Sequence, residues 1–119
     1  MTVSEQEFYD RLAVFFDVMT DWQSRLAYEM PFLLQLLGPA GGRVLDAACG
    51  TGWHSIALAE AGYQATGADI SLLMVARAQA NAHMRRVDAV FAQAAFHELP
   101  SVAPASMRFS AWAIRWCTS

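Results

Sequence analysis

The stretch Arg43-Val44-Leu45-Asp46-Ala47-Ala48-Cys49-Gly50-Thr51-Gly52 decides the fold. Its first six residues form a short apolar run that ends in glycines, the pattern of a strand buried on both faces. Trp53 to Ala61 then has helical composition, with Gly62 as its stop signal. Glycines between a strand and a helix let the backbone turn sharply, and they let a ligand approach main-chain N–H groups at the positive end of the helix. Taken alone, the Gly50-Thr51-Gly52 spacing fits any strand-to-helix turn equally well. Working outward, Tyr63 to Ala68 reads as a second strand, Ser71 caps a helix from Leu72 to about Arg86, and Val87 to Ala92 reads as a third strand. Strands and helices that alternate over short connections predict an α/β fold with a parallel sheet and right-handed crossovers.

Asp69 follows the second strand, 23 residues beyond Asp46. From that position an acceptor-only carboxylate can take both hydroxyls of a ribose, so the pattern implies an adenosine-type ligand. Charge narrows the class. A dinucleotide would rest its pyrophosphate on this loop, yet the third glycine of G-x-G-x-x-G is Ser55 here, and Asp46 just ahead of the loop would repel a diphosphate. The same carboxylate attracts an ammonium or sulfonium group, which favours S-adenosylmethionine (SAM) over NAD. A P-loop is excluded because no Gly-Lys-Ser/Thr follows.

Upstream, Phe8, Leu12, Phe15, Phe16 and Met19 recur at amphipathic-helix spacing between Ser4 and Met19, and Ser4 with Glu7 forms a potential capping box. A second helix is predicted from Asp21 to Leu37, with Pro31 as a kink or break, before Gly38-Pro39-Ala40-Gly41-Gly42 stops it. The chain has 119 residues, 55% of them hydrophobic and 16% charged, with a net charge of -3. This is a size for one domain and too apolar for disorder. It carries no basic footprint for nucleic acid or an anionic membrane. No apolar run reaches the roughly 18 residues of a membrane span, and the acidic start from Thr2 to Asp10 does not read as a signal peptide, so a cytoplasmic protein is expected. Cys49 and Cys117 are too few for a disulfide scaffold and lack C-x-x-C pairing, so no metal site is expected.

Val44 to Gly52, followed by Gly67-Ala68-Asp69-Ile70-Ser71, resembles the first two motifs of class I SAM-dependent methyltransferases. Asp21-Trp22-Gln23-Ser24-Arg25-Leu26-Ala27 and Leu33-Leu34-Gln35-Leu36-Leu37 further resemble the glycine/sarcosine N-methyltransferase branch, and the resemblance covers about residues 9 to 100. It implies a Rossmann-like parallel sheet with N-terminal helices. It also implies a cofactor site in which Arg25 holds the methionine carboxylate and Asp46 meets the methionine amine, directly or through water. Ala47, Ala48, Cys49, Gly50 and Gly52 would form the loop, Asp69 would hold the ribose, and Ile70 and Met74 would pack on the adenine. A solvated helix arginine is the plainer reading of Arg25, and ordinary core the plainer reading of Ile70 and Met74. Two positions depart from the pattern. Ala48 replaces the first motif glycine. Ala95, in Gln93-Ala94-Ala95-Phe96, stands where the family has an acid accepting from the adenine amino group, so weaker binding is expected, with Phe96 still flanking the ring. Trp22 and Trp53 either cover the methionine end or pack conventionally. His54 near Cys49 resembles a base beside a thiol, but a small side chain is simply what fits this loop, and no catalytic residue is assigned.

After Pro100 this pattern stops. Met107 to Ser119 has neither period nor caps, whereas a methyltransferase enters its fourth strand there. Tryptophan and methionine have one codon each, so the tail can be back-translated. Read two nucleotides further on from Pro104, its permitted codons include Gly-Phe-Asp-Ala-Val-Leu-Cys-Leu-Gly-Asn-Ser-Leu-Val-His, with the second Gly and second Val forced by Trp112-Ala113 and Trp116-Cys117. That string resembles the fourth-strand motif of the same branch. The organisation expected is thus an N-terminal helical segment (1–40), a partial SAM-binding domain (41–100) truncated after about three strands, and an out-of-frame tail (101–119). A genuine, unfamiliar C-terminus is the alternative. Implied partners are SAM and a small-molecule methyl acceptor, an amine, with self-association through an exposed sheet edge. A non-catalytic nucleoside-binding fragment and an NAD-binding piece are the rival readings.

Overall fold

A computed structural model describes residues 4–99 and 112–114. Two N-terminal helices, α1 (Glu5–Met19) and α2 (Trp22–Leu37), lead into β1 (Arg43–Ala47), α3 (Trp53–Glu60), β2 (Gln64–Asp69), α4 (Leu72–Met84) and β3 (Val90–Gln93). A 3-10 turn at Phe96–Glu98 follows, and then β4 (Trp112–Ile114). The sheet order is β3-β2-β1-β4, with every neighbouring pair parallel. The three strands read from the sequence are all present, and the tail supplies a short fourth. β4 pairs with β1 as Leu45↔Trp112, Asp46↔Ala113 and Ala47↔Ile114. Truncation after about three strands implied an open hydrophobic edge at β1, and this is corrected: β4 lies against that edge. Val44 is 1% and Leu45 0% exposed. A strand's edge presents backbone groups, while its side chains point to the two faces, and here both faces are covered.

On one face Val44 packs with Leu58, Tyr63 and Ala65 beneath Met30, Leu34 and Leu37 of α2. Beside that cluster, Cys49, Ile56, Val75, Ala78, Ala82 and Phe91 join α3 and α4 to the sheet. Leu45, Ala47, Ala68, Ala94 and Leu99 close the other face. Gly67 is needed in β2 because a Cβ there would stand 2.6 Å from the Phe91 ring.

The helices form at the predicted places, with two differences. Pro31 lies inside an unbroken α2. Of the apolar stripe of α1, Phe8, Phe15 and Met19 are more than half exposed. Polar contacts join α1 to α3 and α4. Asp17, interrupting the apolar run Phe15 to Met19, accepts from Arg77 Nε (2.8 Å), Trp53 Nε1 (2.7 Å) and Asn81 Nδ2 (3.3 Å). Burial alone would raise the Asp17 pKa, but the donors Arg77, Trp53, Asn81 and Thr51 outweigh it and hold the carboxyl below its usual value. Ser4 Oγ accepts from Glu7 N and Ser71 Oγ from Met74 N, as expected of these caps, and Asp21 caps α2 by accepting from Ser24 N.

Candidate functional site

The chain winds outward from β1 through β2 to β3, and β4 then lies on the opposite side of β1. The order therefore reverses at β1. In open parallel sheets this reversal leaves a crevice at the carboxyl ends of the strands, where ligands bind. Residues 48–52 occupy that place. Ala48 (φ 56°), Gly50 (φ 57°) and Gly52 (φ 87°) are all left-handed, which coils the loop tightly back toward α3. The Cys49 N–H donates to the Ala68 carbonyl (2.9 Å) and the Gly52 N–H to the Cys49 carbonyl (3.0 Å). A Cβ on Gly52 would sit 2.7 Å from that of Ala78, so glycine is required for α3 to start against α4.

Asp69, at the end of β2, closes the loop from the side. Its Oδ2 accepts from the Gly50 N–H and its Oδ1 from the Ser71 N–H, both at 2.9 Å. A carboxylate has about four acceptor positions, so two remain for hydroxyl groups. Asp46 is 1% exposed, behind the loop, and its Oδ2 accepts from Ser55 Oγ at 2.8 Å. These groups offer acceptors and negative charge near the loop, which fits a ribose with a cationic tail and disfavours a diphosphate.

A second cluster joins α2 to the first turn of α3. Glu29 accepts from Arg25 Nε at 3.3 Å through both oxygens, and its Oε1 lies 2.5 Å from His54 Nε2. The Arg25 guanidinium stands 5.3 Å from the centre of the Trp22 ring, which meets His54 edge-on at 6.1 Å. Burial would raise the Glu29 pKa, but the bond and charge of His54, and then Arg25, hold it below its usual value. Arg25 is thus brought beside the loop's helix, with Glu29 as its partner. Sequence reasoning missed Glu29 and Asp17. The i,i+4 spacing of Arg25 and Glu29 was the available signal for the first.

Ile70 (59% exposed) and the half-buried Met74 follow Asp69 on the loop into α4 and its first turn. The ends of β2 and β3 are tied together: Ala94 N–H donates to the Asp69 carbonyl (2.9 Å) and Gln93 Nε2 to the Ile70 carbonyl (3.0 Å). Ala95 and the backbone of Phe96 lie directly after that tie. Trp53 is held by Asp17, and His54 by Glu29, so neither needs a role toward Cys49, which is buried. Among the described residues no cluster of metal-ligating side chains occurs, and no helix is long and apolar enough to cross a membrane.

A methyltransferase-domain family model matches residues 44–118. The chain belongs to the class I SAM-dependent methyltransferases. It is 42% identical over 81 residues to the glycine/sarcosine N-methyltransferase of Halorhodospira halochloris, covering 67% of this chain and 30% of that protein. It therefore spans under a third of that relative's length. The PH0226 protein of Pyrococcus horikoshii superposes with a TM-score of 0.61 at 31% identity over 66% of this chain and 37% of that one. The tRNA (uracil-54, C5)-methyltransferase of Pyrococcus abyssi, solved with S-adenosyl-L-homocysteine, does so at 0.54 and 27%, over 60% and 18%. The class I assignment agrees with the Rossmann-like sheet expected from the alternation of strands and helices and from the resemblance, and with SAM, expected from the loop, Asp46 and Asp69.

Proposed function

We propose that this chain carries the SAM-binding part of a methyltransferase acting on a small molecule at an amine nitrogen. The observation that supports it most is the Asp69 carboxylate, oriented by Gly50 and Ser71 beside a left-handed loop at the point where the sheet order reverses. Identity to glycine/sarcosine N-methyltransferases supports the amine. In this reading Asp69 takes the ribose hydroxyls, the 47–52 loop passes around the methionine moiety, Asp46 and Arg25 meet its amine and carboxylate, and Ile70, Met74 and Phe96 flank the adenine. SAM supplies an electrophilic methyl group, and the protein's part is to position it and exclude water.

By the family resemblance, residues that hold the acceptor come from later strands and loops, so the 119-residue chain should bind SAM weakly and transfer no methyl group by itself. The tail at 101–119 is read as out of frame. Titration with SAM and with NADH, together with labelled methyl transfer to a panel of small amines, tests the whole reading. SAM binding without turnover is expected. NADH binding in place of SAM would overturn it. The gene tests the tail: read two nucleotides further on from Pro104, the alternative frame should encode methyltransferase sequence.

A further inference from the structure

Helix α4 meets the loop after β1 at Ala78, which faces Gly52, and again at Asn81, a side chain only 3% exposed. Asn81 Nδ2 donates to the Thr51 carbonyl at 3.0 Å and to Asp17 Oδ2 of α1 at 3.3 Å. The peptide unit joining Thr51 to Gly52 is therefore held at both ends. Its carbonyl accepts from Asn81, and its N–H donates to the Cys49 carbonyl at 3.0 Å. A peptide unit entering a glycine turns over easily, because glycine takes either sign of φ. Turning this one would break both bonds beside Gly50, whose N–H orients Asp69. The direction of the Asn81 amide follows from chemistry: the Thr51 carbonyl and the Asp17 carboxylate only accept, so only the NH2 end satisfies both. Asp17 is itself fixed by Arg77 Nε at 2.8 Å and by Trp53 Nε1 at 2.7 Å, the latter from the residue after Gly52. We infer that Asn81 is a positioning residue for the cofactor loop, acting through the Thr51 carbonyl, and that Asp17 keeps its amide turned toward that carbonyl. This rests on the SAM reading above. Helix α1 thereby bears on the loop through two side chains, and by reciprocity a ligand that needs the loop in this form strengthens the docking of α1.

The test pairs calorimetric titration of the full chain by S-adenosylhomocysteine with amide hydrogen exchange. Asn81→Ala removes the donor and should lower affinity by about threefold to tenfold, the range for one neutral hydrogen bond. Exchange at the Gly50 and Gly52 amides should quicken, while the amides of β1 and β2 keep their wild-type rates. A merely structural role for Asn81 would instead quicken exchange throughout the sheet and leave the affinity of the folded molecules unchanged, and that result overturns the inference. Asp17→Asn serves where Asn81→Ala does not fold. Its amide presents a donor as well as an acceptor to Asn81, so the Asn81 side chain is no longer held one way round. Affinity should fall about twofold or more with faster exchange at Gly52. Wild-type affinity and exchange in Asp17→Asn overturn the inference. If the wild type does not bind S-adenosylhomocysteine, the SAM reading itself fails and the role of Asn81 toward the cofactor falls with it.

Discussion

At the scale of single residues, the loop after β1 combines a strained position with a well-supported one. Ala48 has a φ of 56°, a conformation that costs a residue with a Cβ about 1–2 kcal/mol. Ala48→Gly should therefore raise stability by about 1 kcal/mol after the extra entropy of glycine is subtracted, read as a higher urea midpoint at unchanged slope. An unchanged or lower midpoint would mean that the Ala48 methyl makes contacts worth more than the strain. Asp69 is the supported residue, with two backbone donors already fixing its carboxylate. Asp69→Ala removes the proposed ribose acceptor, and SAM affinity should drop at least about tenfold. The same change strips Gly50 and Ser71 of their acceptor, so affinity must be measured on protein shown to be folded by circular dichroism. A folded Asp69→Ala chain with wild-type affinity would remove Asp69 from the site.

At the scale of elements, the Asp17 carboxylate joins α1 to α3 and α4, and that makes this attachment sensitive to acid. Asp17 and Glu29 both have pKa values below the ordinary carboxylate value in the folded chain. A carboxyl with a depressed folded pKa stabilises the fold above its unfolded pKa, and the contribution is lost as pH falls through the folded pKa. The anchors of α1 on α4 and of α2 on α3 should accordingly weaken only below about pH 4. Trp53, bonded to Asp17, reports the first event through its fluorescence as the pH falls below about 4. Asp17→Ala leaves the donors of Trp53, Arg77 and Asn81 without this acceptor and should cost about 1–3 kcal/mol. A variant as stable as the wild type would show that α1 is held by something else. These attachments bear on what was legible in the sequence. The elements from β1 to β3 were, because apolar runs, caps and glycine stops are local signals; Ser71 and Gly62 mark real helix ends. The loop and Asp69 were legible for the same reason. The Asp17 anchor was not, since it joins residues 60 apart and its own helix carries an apolar stripe that suggests burial of the other face. Pro31 was read as a kink or a break, and α2 continues through it, with Met30 and Leu34 packed on either side.

For the whole molecule, the decisive question is how well three residues of the tail can finish the sheet. β4 is shorter than a typical strand and pairs only with the second half of β1. Nothing periodic in Trp112-Ala113-Ile114 announced it, because three residues are too few for an alternation to register. Its register opposite Leu45 to Ala47 places it next to Asp46 and the loop, so the pairing that closes the edge also borders the candidate site. Elsewhere Phe8, Phe15, Val18 and Met19 on α1, and Tyr28, Phe32 and Leu36 on α2, leave large apolar side chains in water. A chain with this surface and two short edge strands, β3 and β4, should associate as its concentration rises. Proline at position 113 tests which feature governs, because proline cannot carry a ladder through the middle of a strand and leaves the helices untouched. If β4 guards the edge, Ala113→Pro should lower the urea midpoint and increase the mass measured by sedimentation at a given concentration. SAM affinity should fall with it, since Asp46 loses its neighbour. Wild-type mass, stability and affinity in Ala113→Pro would mean that β4 contributes nothing to closing the sheet, leaving the exposed faces of α1 and α2 as the source of any association.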